Sequence, residues 1–215
     1  MTAGLTIFNA SNTVQIDQNW RNYGFRQIIP VAIGTDSSGA VRYQLNVSGS
    51  PALLCACRAS TLYPFKLHSW YSSGSWRFNW LFYRPDGMSD PVTETVQFYI
   101  FDVLDTGGFS NIGLEVFLDG GPRVFHSDAP VLKTSPVQGC DTSFIGTPGR
   151  TYVPLIMRNP VFGAFIAGAG YRLCFHTLRV SGSNIITEQK LTPNGATGAY
   201  ANSGAFMPVD VSGLS

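Results

Sequence analysis

Glutamate and lysine are nearly missing from this chain of 215 residues. Glu94, Glu115 and Glu188 are its only glutamates, and Lys66, Lys133 and Lys190 its only lysines. Strong helix formers suited to exposed positions are therefore scarce, which argues against a helical fold. Charged residues make up 13% of the chain, about half the share of an ordinary globular domain. Fourteen basic and thirteen acidic side chains leave a net charge of +1. No long-range field steers such a chain to DNA, RNA or an anionic bilayer, so no nucleic-acid partner is expected. No run of 18 apolar residues occurs, and no membrane span is expected. Residues Met1 to Leu5 lack a basic region followed by an apolar stretch, so no secretion signal is expected either.

Turn formers and aromatics are plentiful instead: 23 Gly, 13 Pro, 15 Phe and 9 Tyr, within a 44% hydrophobic composition. Glycine and proline punctuate the chain while aromatics fill pleated surfaces. The expectation is an all-β fold of one or more antiparallel β-sandwiches, with two related halves as one arrangement. Alternation supports it. Val41, Tyr43, Leu45 and Val47 point one way, and Arg42, Gln44 and Asn46 the other. Trp76, Phe78 and Trp80 likewise share a face within Ser75 to Tyr83, and Val96, Phe98 and Ile100 oppose Gln97, Tyr99 and Phe101. Further strands are expected at 25–33, 53–59, 65–70, 152–157, 161–167, 171–180 and 184–188.

One hairpin is written twice. Gly4-Leu5-Thr6-Ile7-Phe8 is echoed by Gly113-Leu114-Glu115-Val116-Phe117, at an offset of 109 positions. Each is followed by a polar turn and a second short strand, Val14 to Asp17 and Arg123 to His126. Chance similarity between two β-hairpins is the competing explanation. Taken as real, the echo divides the chain into a β-sandwich domain at 1–105, a second β-sandwich half at 106–190, and a low-charge tail or arm at 191–215. The tail is either mobile or a strand-like arm ordered on a neighbouring subunit.

Catalytic candidates are few. Cys174 and His176 share a strand face, but no carboxylate is identifiable to orient the histidine. His126-Ser127-Asp128 are consecutive, and an extended chain cannot converge three consecutive residues into a triad. Asp86 with Asp90 and Asp102 with Asp105 are better explained as turn residues than as glycosidase carboxylates. Cys55, Cys57, Cys140 and Cys174 have spacings unlike a metal site. Buried free thiols are favoured, with one disulfide or a metal site as alternatives. No catalytic residue, cofactor or metal is assigned, and the chain is read as a non-enzyme.

The strongest binding feature is aromatic. Trp70 and Tyr71 stand beside Ser72-Ser73-Gly74 at the tip of an expected hairpin, while Trp76, Phe78 and Trp80 alternate into the core. Trp70 and Tyr71 are therefore the residues expected to be exposed, in an interface or against a glycan.

The two hairpins, Gly4-Leu5-Thr6-Ile7-Phe8 with Val14-Gln15-Ile16-Asp17 and Gly113-Leu114-Glu115-Val116-Phe117 with Val124-Phe125-His126-Ser127, carry a family resemblance. They resemble the Gly-Leu-x-Val-Phe opening of small tail-region proteins of tailed bacteriophages and prophages. Asn12 stands where that pattern has a glycine, and His126 where it has an acid. The resemblance implies a non-enzymatic virion structural protein, made in the host cytoplasm and placed in the tail, its tip or a fibre. Its partners are then copies of itself and other virion tail proteins, a trimer or a larger ring being the expected symmetry. Two alternatives are a receptor- or carbohydrate-binding module at the tail tip, meeting a host surface glycan, and a head-side capsid decoration or stabilising protein.

Overall fold

The computed structural model describes residues 6–8, 14–17, 23–86, 88–103, 115–117, 123–126, 130, 132–158, 161–166, 170–191 and 204–214. Among them there is no helix, and the expected all-β fold holds. The strands in chain order begin with β1 (Thr6–Phe8), β2 (Val14–Asp17), β3 (Tyr23–Gly34), β4 (Ala40–Ser48), β5 (Leu54–Arg58) and β6 (Tyr63–Ser72). Next come β7 (Ser75–Tyr83), β8 (Thr93–Val103), β9 (Glu115–Phe117), β10 (Arg123–His126), β11 (Lys133–Thr134) and β12 (Gln138–Gly139). The last five are β13 (Tyr152–Arg158), β14 (Val161–Ile166), β15 (Gly170–Ser181), β16 (Asn184–Leu191) and β17 (Ala205–Asp210).

Two three-stranded antiparallel sheets, ordered β3-β8-β5 and β4-β7-β6, contribute to one aromatic core. Alternation makes this possible, because every second residue of a strand points to the same side. From β7 come Phe78, Trp80 and Phe82, all at most 2% exposed, and from β8 come Val96, Phe98 and Ile100, all fully buried. Phe98 sits at the centre, its ring 5.7 Å from Trp80, 5.9 Å from Tyr43 and 6.3 Å from Phe82. Full burial of one such side chain contributes roughly 1.5–3 kcal/mol.

Residues 97, 99 and 101 of β8 face the other way. Tyr99 and Phe101 join Ala56, Val153, Leu155, Val209 and Val211 in a second cluster. The β3-β8-β5 sheet is thus apolar on both faces, one against β7 and one with residues of β13 and β17. Within the segment from Leu191 read as a tail or arm, β17 lies in this chain's own sheet. It pairs antiparallel with β13 on one side and with β11 and β12 on the other. The main core draws on residues from Ile33 to Phe206, and so on both sides of residue 105.

A further three-stranded sheet, β14-β15-β16, joins the main core through Leu178 and Ile185. The Val180 amide donates to the Ala59 carbonyl at 2.8 Å. The expected boundary between the two halves, at residues 105 and 106, lies outside the described residues.

Candidate functional site

The expected hairpin tip is formed by β6 and β7. Ser73 and Gly74 carry φ values of 51° and 77°, the two left-handed residues that a tight two-residue turn needs. Gly74 has open space where a side chain would stand, so its backbone conformation alone favours glycine. Trp70 and Tyr71 are 36% and 37% exposed. Being adjacent on a strand, they point to opposite faces. Tyr71 pairs with Trp76 on the core side, their rings 5.7 Å apart. Trp70 pairs with Arg77 on the outer face, and the guanidinium lies 5.7 Å from the indole centroid.

A residue that sequence reading did not select completes the outer side. The His68 imidazole stacks on Trp70, centroids 5.2 Å apart and planes within 16°. The two share a face because they are two positions apart beyond a bulge at Leu67. Across the sheet, Trp70, Arg77 and Asn46 form one row, and His68, Asn79 and Gln44 the next. An extended aromatic surface flanked by amides and a guanidinium is the chemistry that packs against a sugar ring or a flat peptide. The alternation of His68 with Trp70 was the available signal; the partnership with Arg77 needed the register.

Both copies of the repeated hairpin pair antiparallel, and they do so in the same register. Thr6, Ile7 and Phe8 face Asp17, Ile16 and Val14. Glu115, Val116 and Phe117 face His126, Phe125 and Arg123. Each pair is displaced from its counterpart by the same 109 positions. Even the irregularity coincides: Gln15 is the extra residue in one hairpin and Val124 in the other. Phe117 is 52% exposed.

The remaining candidates are committed elsewhere or lie outside the described residues. Cys55, Cys57 and Cys140 are buried and free. Burial pushes the Cys55 and Cys140 thiols up to about 12, and Cys57 well above its ordinary 9.0. Such thiols hold their protons and are poor nucleophiles and metal ligands. The side chain of Cys174, in β15, lies outside what is described. His176 meets the carbonyl of Cys140 through Nδ1. His126 is in β10, while Ser127, Asp128 and Asp105 fall outside the described residues. Asp102 accepts from the Ser50 amide at 3.1 Å, from the Ser50 hydroxyl and from the Val103 amide at 2.9 Å. No group of three or more metal-binding side chains occurs among the described residues. No described helix is long and apolar enough to cross a membrane.

No family model matches the chain, and no curated protein or solved structure matches it.

Proposed function

We propose that the chain is a non-enzymatic structural protein of a tailed-bacteriophage virion, a component of the tail, its tip or a fibre. It acts by assembling with copies of itself and with other tail proteins. The observation that carries the reading is the hairpin written twice. Its sequence resembles tail-region proteins, and its two copies share one register and one bulge position. A duplicated hairpin of fixed register suits a part that meets repeated neighbours. Labelled antibody on purified particles tests the reading. Label on the tail supports it; label on the head favours a decoration protein; a particle without the chain overturns both.

A second reading rests on the Trp70 face. We infer that the stack of His68 and Trp70, with Arg77 alongside, contacts a host surface glycan. Binding on a glycan array that Trp70→Ala abolishes supports this role. Binding that survives the substitution assigns the contact to another surface.

A further inference from the structure

β3 and β4 are each the end strand of their sheet, and they lie beside one another, Arg26 of β3 reaching the Ser48 carbonyl of β4. The edges differ in how they are guarded. Pro30 lies exposed in the middle of β3 and has no N–H to offer a neighbour. The start of β3 is already paired: the Phe25 amide donates to the Pro130 carbonyl and the Leu132 amide to the Tyr23 carbonyl, each at 2.8 Å. β4 has no proline, no bulge in its register with β7, and one charge, Arg42. Natural edge strands are normally blunted by such devices.

The direction of its free backbone groups follows from the hairpin. The two-residue turn makes Ser72 and Ser75 a hydrogen-bonded pair, so the backbone of Ser75 faces β6. Alternation then turns Trp76, Phe78, Trp80 and Phe82 toward β4, where they meet Val47, Leu45, Tyr43 and Val41. The N–H and C=O groups of Arg42, Gln44 and Asn46 consequently point away from β7. Two contacts agree with this parity: the Ser48 carbonyl accepts from Arg26 Nη1 at 2.5 Å, and the Gly49 amide turns back to the Gly74 carbonyl at 3.2 Å. No backbone pairing to these outward groups occurs among the described residues.

The core is also unsealed on this flank. Ile29 and Val31 of β3, with Val41 and Tyr43 of β4, pack against it but remain only partly buried. The flank therefore offers an apolar strip beside an open backbone edge, which together suit an added strand.

We propose that two copies of the chain pair through β4, antiparallel about a two-fold axis at Gln44. That register uses the whole strand. It sets Val41 against Val47 and Tyr43 against Leu45 on the core side, and Arg42 against the neutral Asn46 outside. No like charges meet, and about six backbone hydrogen bonds form between Arg42, Gln44, Asn46 and their counterparts. The two β4-β7-β6 sheets become one continuous sheet across the axis. This pairing deepens the assembly reading and fails separately from it. A monomer in solution removes the pairing, and absence from particles removes the reading.

Sedimentation equilibrium of the whole chain over micromolar concentrations tests it, with Gln44→Lys and Gln44→Glu as paired variants. The Gln44 side chain is exposed and its backbone turns outward, so neither change touches the bonds to β7. The wild type is expected to dimerise. Each variant alone is expected to dissociate at least about tenfold more readily, because like charges meet on the axis. An equal mixture of the two recovers the dimer, which requires both variants to be folded. A wild type that stays monomeric, variants that dimerise as well as wild type, or a mixture no tighter than its components overturns the proposal.

Discussion

The Tyr63 hydroxyl donates to the Glu188 carboxylate at 2.6 Å, joining β6 to β16 across 125 positions of sequence. Arg179 reinforces the pair: its Nε donates to the same hydroxyl at 3.1 Å and its Nη2 lies 3.7 Å from Glu188. The guanidinium also covers the Tyr63 ring at 5.5 Å. Tyr63→Phe keeps the ring and removes only the hydroxyl. It is expected to cost about 1.5–3 kcal/mol, the range for a hydrogen bond to a charged group. Urea unfolding should show a lower midpoint with an unchanged slope, and an unchanged midpoint would count against this link.

Glu94 holds a loop in a similar way. Its Oε1 accepts from the Ser60 amide at 2.6 Å and the Ser60 hydroxyl at 2.7 Å, and its Oε2 from the amides of Thr61 at 3.0 Å and Leu62 at 2.7 Å. Glu94→Gln turns an NH2 group toward donors that need an acceptor. We expect a loss of about 2–3 kcal/mol by chemical denaturation, and faster amide exchange at Thr61 and Leu62. Slow exchange at both amides in the variant would refute the role.

Alkali should weaken the fold earlier than the scarcity of lysine suggests. Burial raises Cys55 and Cys140 to about 12 from an ordinary 9.0, and Tyr83 to about 12 from 10.0. The unfolded chain releases these protons at the lower values, while the folded chain retains them. Their stabilising effect is complete below about pH 9 and is lost as pH rises towards 12. Thermal midpoints should therefore fall steadily across that window, and Tyr83→Phe should flatten the upper part of the slope. A midpoint constant from pH 9 to 11 would contradict the burial of these groups.

Lys66 acts in the opposite sense. Burial lowers its ammonium below the ordinary 10.5, and its Nζ sits 5.5 Å from the Phe78 ring. The charged form is the one burial disfavours, so stability rises with pH from the lowered value towards 10.5. Lys66→Met should raise stability at neutral pH and remove this rising contribution, as read from denaturation curves at several pH values. A less stable variant would show that the cation–ring contact outweighs desolvation.

Gly146 is confined by its neighbours. A Cβ there would stand 2.1 Å from the Ser183 carbonyl and 2.6 Å from the Tyr152 ring. Gly146→Ala must displace backbone, and a loss of about 2–4 kcal/mol is expected in denaturant unfolding. Wild-type stability in the variant would mean the loop yields freely.

Local pattern revealed much of this fold. Ser75 to Tyr83 alternates without interruption, and β7 has those bounds. Val96, Phe98 and Ile100 fall in one cluster and Tyr99 and Phe101 in the other, as alternation requires. What escaped detection depends on distant partners. β17 contains Pro208, which has no N–H for a ladder and so reads against a central strand. It is held there by Val153 and Leu155 across from Val209 and Met207, and by the Ser135 amide on the Pro208 carbonyl. The Trp70 face was half legible. Exposure of a tip tryptophan followed from its flanking turn, but the bulge at Leu67 and the pairing with Arg77 are set by register.

The central place of β17 governs the order in which the chain can fold. Cys57 and Phe206 belong to one core, and about 150 residues separate their synthesis. About 100 residues lie between Val103, where the first aromatic sheets are complete, and Ala205, so at ~5–20 residues per second the nascent chain spends roughly 5–20 s with those sheets made and their closing strand not yet built. During that interval the apolar faces of β5 and β8 that await β13 and β17 stand open to the cell. A chaperone that shields extended apolar strands therefore has its natural moment before Ala205–Asp210 leaves the ribosome.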